Sequence, residues 1–133
     1  SEVGVGPTKV DNVLLVFKAF MTRVGTGLLP GELTKEEAFK RGWFETAAGT
    51  GRERRSAPFN FELARKAVMI NGSTQAALTK LDILYPECKG ARTYNELSTE
   101  AKQFINEVEK QTGIPVAIIG TGPEALDIVD RRE

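Results

Sequence analysis

The chain contains no histidine. That removes histidine-based triads, histidine metal sites and a histidine general base from these 133 residues. Cys88 is the only cysteine, so no disulfide can form within the chain, and a reducing compartment fits. Charge of one sign is also missing, because 18 basic residues balance 18 acidic ones. This argues against a nucleic-acid binder that works through a general basic field, and any anion site must be local. No apolar run approaches the roughly 20 residues needed to span a bilayer. Internal repeats and low-complexity tracts are absent. The opening Ser1-Glu2-Val3-Gly4 has no initiator Met and no basic-then-apolar signal pattern, as expected of a fragment or a processed chain.

What is present is ordinary for a soluble globular domain with its own core: 41% hydrophobic and 27% charged residues. Val10, Val13, Leu14, Phe17, Phe20, Met21 and Val24 recur at helical spacing, with Pro7 suited to a first turn and Gly25 to a stop. The pattern predicts a helix over about 7–24. Gly25, Gly27, Pro30 and Gly31 mark a loop. Thr34 with Glu37 forms a capping box that opens a short helix to about Arg41. Residues 45–58 lack apolar periodicity and predict a second loop. Asn60 caps a helix carrying Leu63, Ala64, Ala67, Val68 and Ile70, which Asn71-Gly72 ends.

Gln75–Thr79 predicts a strand ending at Lys80. Ser98 caps a helix with Ala101, Phe104, Ile105 and Val108 on one face, stopped by Gly113 and Pro115. Its other face (Glu100, Lys102, Glu107, Glu109, Lys110) predicts a solvated surface. Val116–Ile119 is a compact apolar run typical of a strand buried on both faces. Helix and strand alternate, so the expected class is α/β with parallel strands, whose ligands bind at the carboxyl ends.

Three motifs could carry chemistry. In Thr79-Lys80-Leu81-Asp82, an ionised Asp offers two acceptors side by side, matching the ring N1–H and exocyclic amine of guanine. Adenine has no donor at N1 and would leave the carboxylate unpaired. The Lys80 stem can lie along the base while its ammonium stays wet. Alternatively, both residues are simply solvated at a strand end. Gly120-Thr121-Gly122-Pro123 lets backbone approach a ligand closely, or is an ordinary turn. It is no P-loop, since no Gly-Lys-Ser/Thr follows. Gly49-Thr50-Gly51-Arg52-Glu53-Arg54-Arg55 places three guanidinium groups in four residues. In an extended chain, Arg52 and Arg54 share a side and could clamp a small dianion; the alternative is a solvated basic loop. Trp43 and Phe44 are expected as core anchors, and nothing marks Cys88 as reactive.

Taken in order, these segments resemble the adenylosuccinate synthetase family over nearly the whole chain. The resemblance is carried by Gly6-Pro7, Val10-Asp11, Lys18-Ala19-Phe20, Thr22-Arg23-Val24-Gly25, Leu29-Pro30-Gly31-Glu32-Leu33, Thr50-Gly51-Arg52 with Arg54-Arg55, Leu78-Thr79-Lys80-Leu81-Asp82 and Gly120-Thr121-Gly122-Pro123. The stretch after Asp82 is short, as in the compact archaeal members. The resemblance implies the C-terminal portion of a GTP-dependent ligase that joins IMP to L-aspartate. Its architecture would be P-loop-GTPase-like, with a mostly parallel sheet completed by an N-terminal part. It places GTP contacts at Lys80, Asp82, Gly120 and Gly122, and substrate contacts at Val24, Thr50, Gly51, Arg52 and Arg54. The family usually has Ser where Gly120 stands, and Ala47-Ala48-Gly49 depart from its usual Gly and Thr positions.

By the same resemblance, residues 1–72 form a helical substrate-binding part and 73–133 a guanine-binding part. The catalytic residues and the Mg2+ site belong to the N-terminal half, so the isolated segment is expected to be inactive. A cytoplasmic homodimer that uses neither nucleic acid nor membrane is implied. The competing function class is a non-catalytic guanine-nucleotide or anion-binding module.

Overall fold

The computed structural model describes residues 12–43, 45 and 54–132. Three parallel strands form its spine. Strand β4 (Gln75–Thr79) lies between β1 (Leu14–Lys18) and β5 (Val116–Gly120), with Leu14 opposite Gln75, Lys18 opposite Thr79, and Leu78 opposite Ile119. Strand β6 (Ile128–Asp130) closes the far edge antiparallel to β5. A separate antiparallel ribbon pairs β2 (Phe20–Arg23) with β3 (Arg55–Pro58). The helices are α1 (Lys35–Arg41), α2 (Phe61–Asn71), the single turn α3 (Leu81–Leu84) and α4 (Thr99–Thr112).

The helix boundaries follow their caps. Thr34 and Glu37 form the reciprocal capping box of α1, and Gly42 closes it in the left-handed region. Asn60 accepts from Leu63 N–H at 3.0 Å and Ser98 from Ala101 N–H at 3.2 Å, opening α2 and α4. Gly72 and Gly113 end them in the left-handed conformation. Within α4, Ala101, Ile105 and Val108 are completely buried against the sheet. Ala64 and Val68 are the buried face of α2, whereas Ile70, expected on that face, is exposed.

The helix expected over 7–24 is not there: residues 14–18 and 20–23 are strands, and residues 7–11 lie outside the described residues. The reason is visible in Val13-Leu14-Leu15-Val16-Phe17. A helical stripe has to leave out Leu15 and Val16, whereas as a strand residues 14–18 pair one for one with β4, with alternate residues Leu14 and Val16 on the exposed face. The loop expected over 45–58 likewise ends in β3. Its Ser56 and Ala57 are buried, and the Ser56 hydroxyl donates to the Trp43 carbonyl at 2.6 Å. Small residues carry little hydropathy signal, so this strand is specified by its partner β2. The glutamates of α4 are not all on a solvated face either. Glu109 accepts from Val116 N–H at 2.8 Å and pairs with Arg131 at 3.3 Å, tying the helix to β5 and to the segment after β6.

Two apolar clusters result. The main one joins Ala76, Leu78, Leu81, Ile105, Val116, Ile119 and Val129. Phe17, Phe59, Phe61 and Phe104 flank it in edge-to-face contacts with centroids 5.0 to 6.1 Å apart. The smaller one stacks Phe20 on Trp43 at 5.1 Å, with Ala38 beneath. Trp43 is the core anchor expected of it, and Phe44 lies outside the described residues. Cys88 is buried and accepts from Ser98 N–H at 3.5 Å, a structural rather than a reactive setting.

Ile105 is fully buried at the centre of the α4 interface. In the full-length protein that carries this segment, Ile105→Ala should lower the unfolding free energy by about 2–5 kcal/mol. Denaturant titration checks this; a loss under about 1 kcal/mol would mean that the site collapses without a cavity.

Candidate functional site

Parallel pairing brings the carboxyl ends of β1, β4 and β5 to one edge. Lys18 ends β1, Lys80 follows β4, and Gly120 ends β5. The chain leaves β1 through Ala19, whose N–H still donates to Thr79 O at 2.9 Å, so β1 and β4 remain paired to their last residues. Two of the sequence motifs meet here. A Cβ added to Gly120 would lie 3.4 Å from Thr79 Cα and 3.8 Å from Lys80 N, so the ends of β4 and β5 are in backbone contact.

Lys80 has φ +66°, the only non-glycine residue with positive φ among the described residues. For a residue with a Cβ the left-handed region costs roughly 1–2 kcal/mol. No side-chain cap compensates, because Lys80 makes none for α3. The turn is held from below by Leu81, which is completely buried, and by Tyr85 N–H donating to Leu81 O at 2.8 Å. The strain sits at the carboxyl edge of the parallel sheet, directly after β4. Asp82 lies in the first turn of α3 and is partly buried. No described residue forms a salt bridge or side-chain hydrogen bond with its carboxylate.

The loop after β5 is fixed through Thr121. This buried residue donates its hydroxyl to Ala91 O at 2.6 Å, accepts from Gly90 N–H at 2.9 Å and donates its own N–H to Asp127 O at 2.8 Å. Gly122 leaves room for its neighbour: a Cβ there would run into the Asp127 carboxylate and lie 3.0 Å from Asp127 Cβ. Asp127 in turn accepts from Glu124 N–H at 3.2 Å.

The substrate-loop residues are reached in part. Thr50, Gly51 and Arg52 lie outside the described residues. Arg54 is described, and it sits beside Glu45. Its N–H donates to Glu45 O at 2.8 Å and its guanidinium lies 3.5 Å from Glu45 Oε1. Lys18 Nζ approaches the same oxygen at 3.1 Å, and Lys80 Nζ is 3.5 Å from Oε2. Sequence reasoning did not single out Glu45, an isolated acid ahead of a loop with no spacing signal. Lys18 had a signal that went unused, a lysine closing an apolar strand at the carboxyl edge.

Arg55 does something different. It donates to both oxygens of Glu32 at 2.9 and 2.7 Å and to the carbonyls of Gly25 and Gly27 at 2.9 and 2.7 Å. This bidentate clasp closes the 25–32 loop, and those hydrogen bonds hold the Glu32 carboxyl below its usual range. Val24, at the entry to that loop just after β2, is exposed. Among the described residues no three carboxylates or cysteines converge as a metal site.

Fold and edge together define a class: an α/β protein whose mostly parallel sheet gathers cations and glycine backbone at its carboxyl edge. The chain belongs to the adenylosuccinate synthetase family, whose model matches residues 1–87. It is 54% identical over 132 residues to the adenylosuccinate synthetase of Methanocaldococcus jannaschii, covering 99% of this chain and 38% of the relative. With those of Thermococcus sibiricus and Pyrococcus horikoshii it shares 50% and 48% identity, covering 100% of this chain and 39% of each relative. All three organisms are archaea, in keeping with the resemblance to the compact archaeal type. The chain thus spans about two fifths of the length of the curated relatives it matches.

Among solved structures, the fully ligated adenylosuccinate synthetase of Plasmodium falciparum superposes with a TM-score of 0.84 at 22% identity, covering 98% of this chain and 42% of that one. The succinoaminodeoxyadenylate synthetase of cyanophage S-2L, bound to dGMP and dATP, gives a TM-score of 0.67 at 16% identity, covering 95% of this chain and 35% of that one. Both share the fold. Among the described residues no helix is long and apolar enough to cross a membrane.

The left-handed turn at Lys80 generates a prediction. Lys80→Gly relieves the Cβ strain but frees the unfolded chain, so in the full-length protein stability should change by less than about 1 kcal/mol. Thermal unfolding checks it; a larger loss would show that Lys80 is kept for the fold and not for a ligand.

Proposed function

We propose that this segment supplies the guanine-reading and substrate-clamping part of an adenylosuccinate synthetase, a ligase that uses GTP to join IMP and L-aspartate in purine nucleotide synthesis. The observation that carries the proposal is the junction of β4 and β5. A strained Lys80, an Asp82 carboxylate with no described partner, and the Gly120 backbone converge at the sheet edge where α/β ligands bind.

In this proposal Asp82 accepts from N1–H and the exocyclic amine of guanine. Lys80 lays its stem along the base, and the Gly120 and Gly122 backbone closes the other side. Gly120 has no side chain to offer, so its contact is through backbone alone. Arg54, with Arg52, Thr50 and Gly51, takes the aspartate carboxylates and the IMP side, and Val24 lies against the IMP sugar. GTP phosphorylates the 6-oxygen of IMP, and the aspartate amine then displaces that phosphate. This segment contributes positioning and charge to those steps.

The catalytic acid–base groups and the magnesium site are assigned to the N-terminal half of the same enzyme. Residues 1–72 form the substrate part and 73–133 the guanine part, with β1 sharing the sheet of β4 and β5. A cytoplasmic homodimer completes the proposal.

Asp82→Asn in the full-length enzyme should weaken GTP binding and improve binding of the xanthine nucleotide, whose 2-oxo group accepts from the new amide. Removing a charge-assisted contact costs about 1.5–3 kcal/mol, or roughly ten- to 150-fold in affinity. Equal affinities for both nucleotides before and after substitution would remove Asp82 from base recognition. Arg54→Ala should raise the KM for aspartate by a similar factor while changing the KM for GTP much less. An unchanged aspartate KM would exclude Arg54 from the clamp.

A further inference from the structure

Glu45 is shared by three segments. Lys18 from the end of β1 and Arg54 from the start of the β3 segment lie 3.1 and 3.5 Å from Oε1, and Lys80 from the β4 turn lies 3.5 Å from Oε2. The side chain is only 17% exposed. One carboxylate therefore faces three cations, a local excess of positive charge in a chain whose net charge is zero.

The cluster is not fully satisfied. Glu45 Oε2 and Arg54 Nε are both buried without a hydrogen-bond partner among the described residues. A half-satisfied buried ionic cluster is poor value for stability, since apolar residues of similar volume usually serve the fold as well. Lys18 is held independently by the Thr22 hydroxyl at 2.6 Å. Arg54 and Lys80 have no other described ion-pair partner, so Glu45 is their one described link.

We propose that Glu45 is a positioning residue that couples the amino-acid side of the site to the base side. The inference rests on the functional proposal above, in which Arg54 takes aspartate and Lys80 lies along guanine. The sign follows from the geometry. A dicarboxylate that draws Arg54 off Oε1 leaves Glu45 to Lys18 and Lys80 alone. The carboxylate then holds the Lys80 ammonium more firmly and fixes its stem in the posture the base needs. Aspartate thus tightens the guanine nucleotide, and by linkage the nucleotide tightens aspartate to the same degree. Lys18 is the constant partner that keeps Glu45 in place during the exchange.

The test measures the affinity of the full-length enzyme for a GTP analogue with an uncleavable β–γ bridge. IMP is present throughout, and L-aspartate is absent or saturating. The unmodified enzyme should bind the analogue about fivefold or more tightly with aspartate present. Glu45→Gln keeps the shape and removes the charge, and should bring that ratio close to one. Lys80→Met leaves Glu45 paired with Lys18 and Arg54 and should also abolish the ratio, which covers the case in which Glu45→Gln fails to fold.

A ratio near one in the unmodified enzyme, or the same ratio in a folded Glu45→Gln or Lys80→Met variant, overturns the coupling. Asp82→Asn measured in parallel separates the two levels. Loss of guanine preference with an intact ratio in Glu45→Gln sinks only the coupling, whereas unchanged guanine preference in Asp82→Asn sinks the base pocket itself.

Discussion

Everything at the carboxyl edge of the sheet depends on the burial of β4 between two strands that run the same way. Ala76 and Leu78 are fully buried, and β4 pairs residue for residue with β1 and, across a register shift between Ala76 and Ala77, with β5. A one-residue slip would turn Leu78 to the opposite face and bring the polar ends of the strand into the core. With the register set, the chain has to leave all three strands at the same edge. Lys18, Lys80 and Gly120 then meet although they are far apart in sequence. The side chains chosen for those exits decide what the edge can hold.

The elements legible in the sequence were those with local punctuation. α1, α2 and α4 begin at Thr34, Asn60 and Ser98 and end at Gly42, Gly72 and Gly113, and each boundary is a side-chain or left-handed cap that needs no tertiary partner. β4 and β5 are short apolar runs between turn residues and were equally plain. β1 and β2 were misread because an apolar run with one polar interruption fits both periods, and only the pairing with β4 and β3 decides between them. β3 and β6 are short strands defined by their neighbours.

The site shows the same division. Lys80, Asp82 and Gly120 could be picked out because they stand at or just beyond the ends of β4 and β5, where charge and glycine follow short apolar runs. Glu45 could not, because its meaning comes only from the three cations that the fold brings to it. Arg55 illustrates the reverse. It stands in the same basic run as Arg54, yet it is spent on Glu32 and two loop carbonyls, so charge in sequence did not show which arginine holds the loop together.

The close approach of Gly122 and Asp127 has a meaning for how this protein can change over generations. The space for a Cβ at residue 122 is already filled by the Asp127 carboxylate. A side chain at 122 therefore requires the Asp127 side chain to move, and moving it gives up the acceptor for Glu124 N–H. A substitution at 122 should therefore be tolerated only together with a change at 127. Pro123 and Ala125 in the same loop are exposed, so substitution there should be tolerated without a matching change elsewhere.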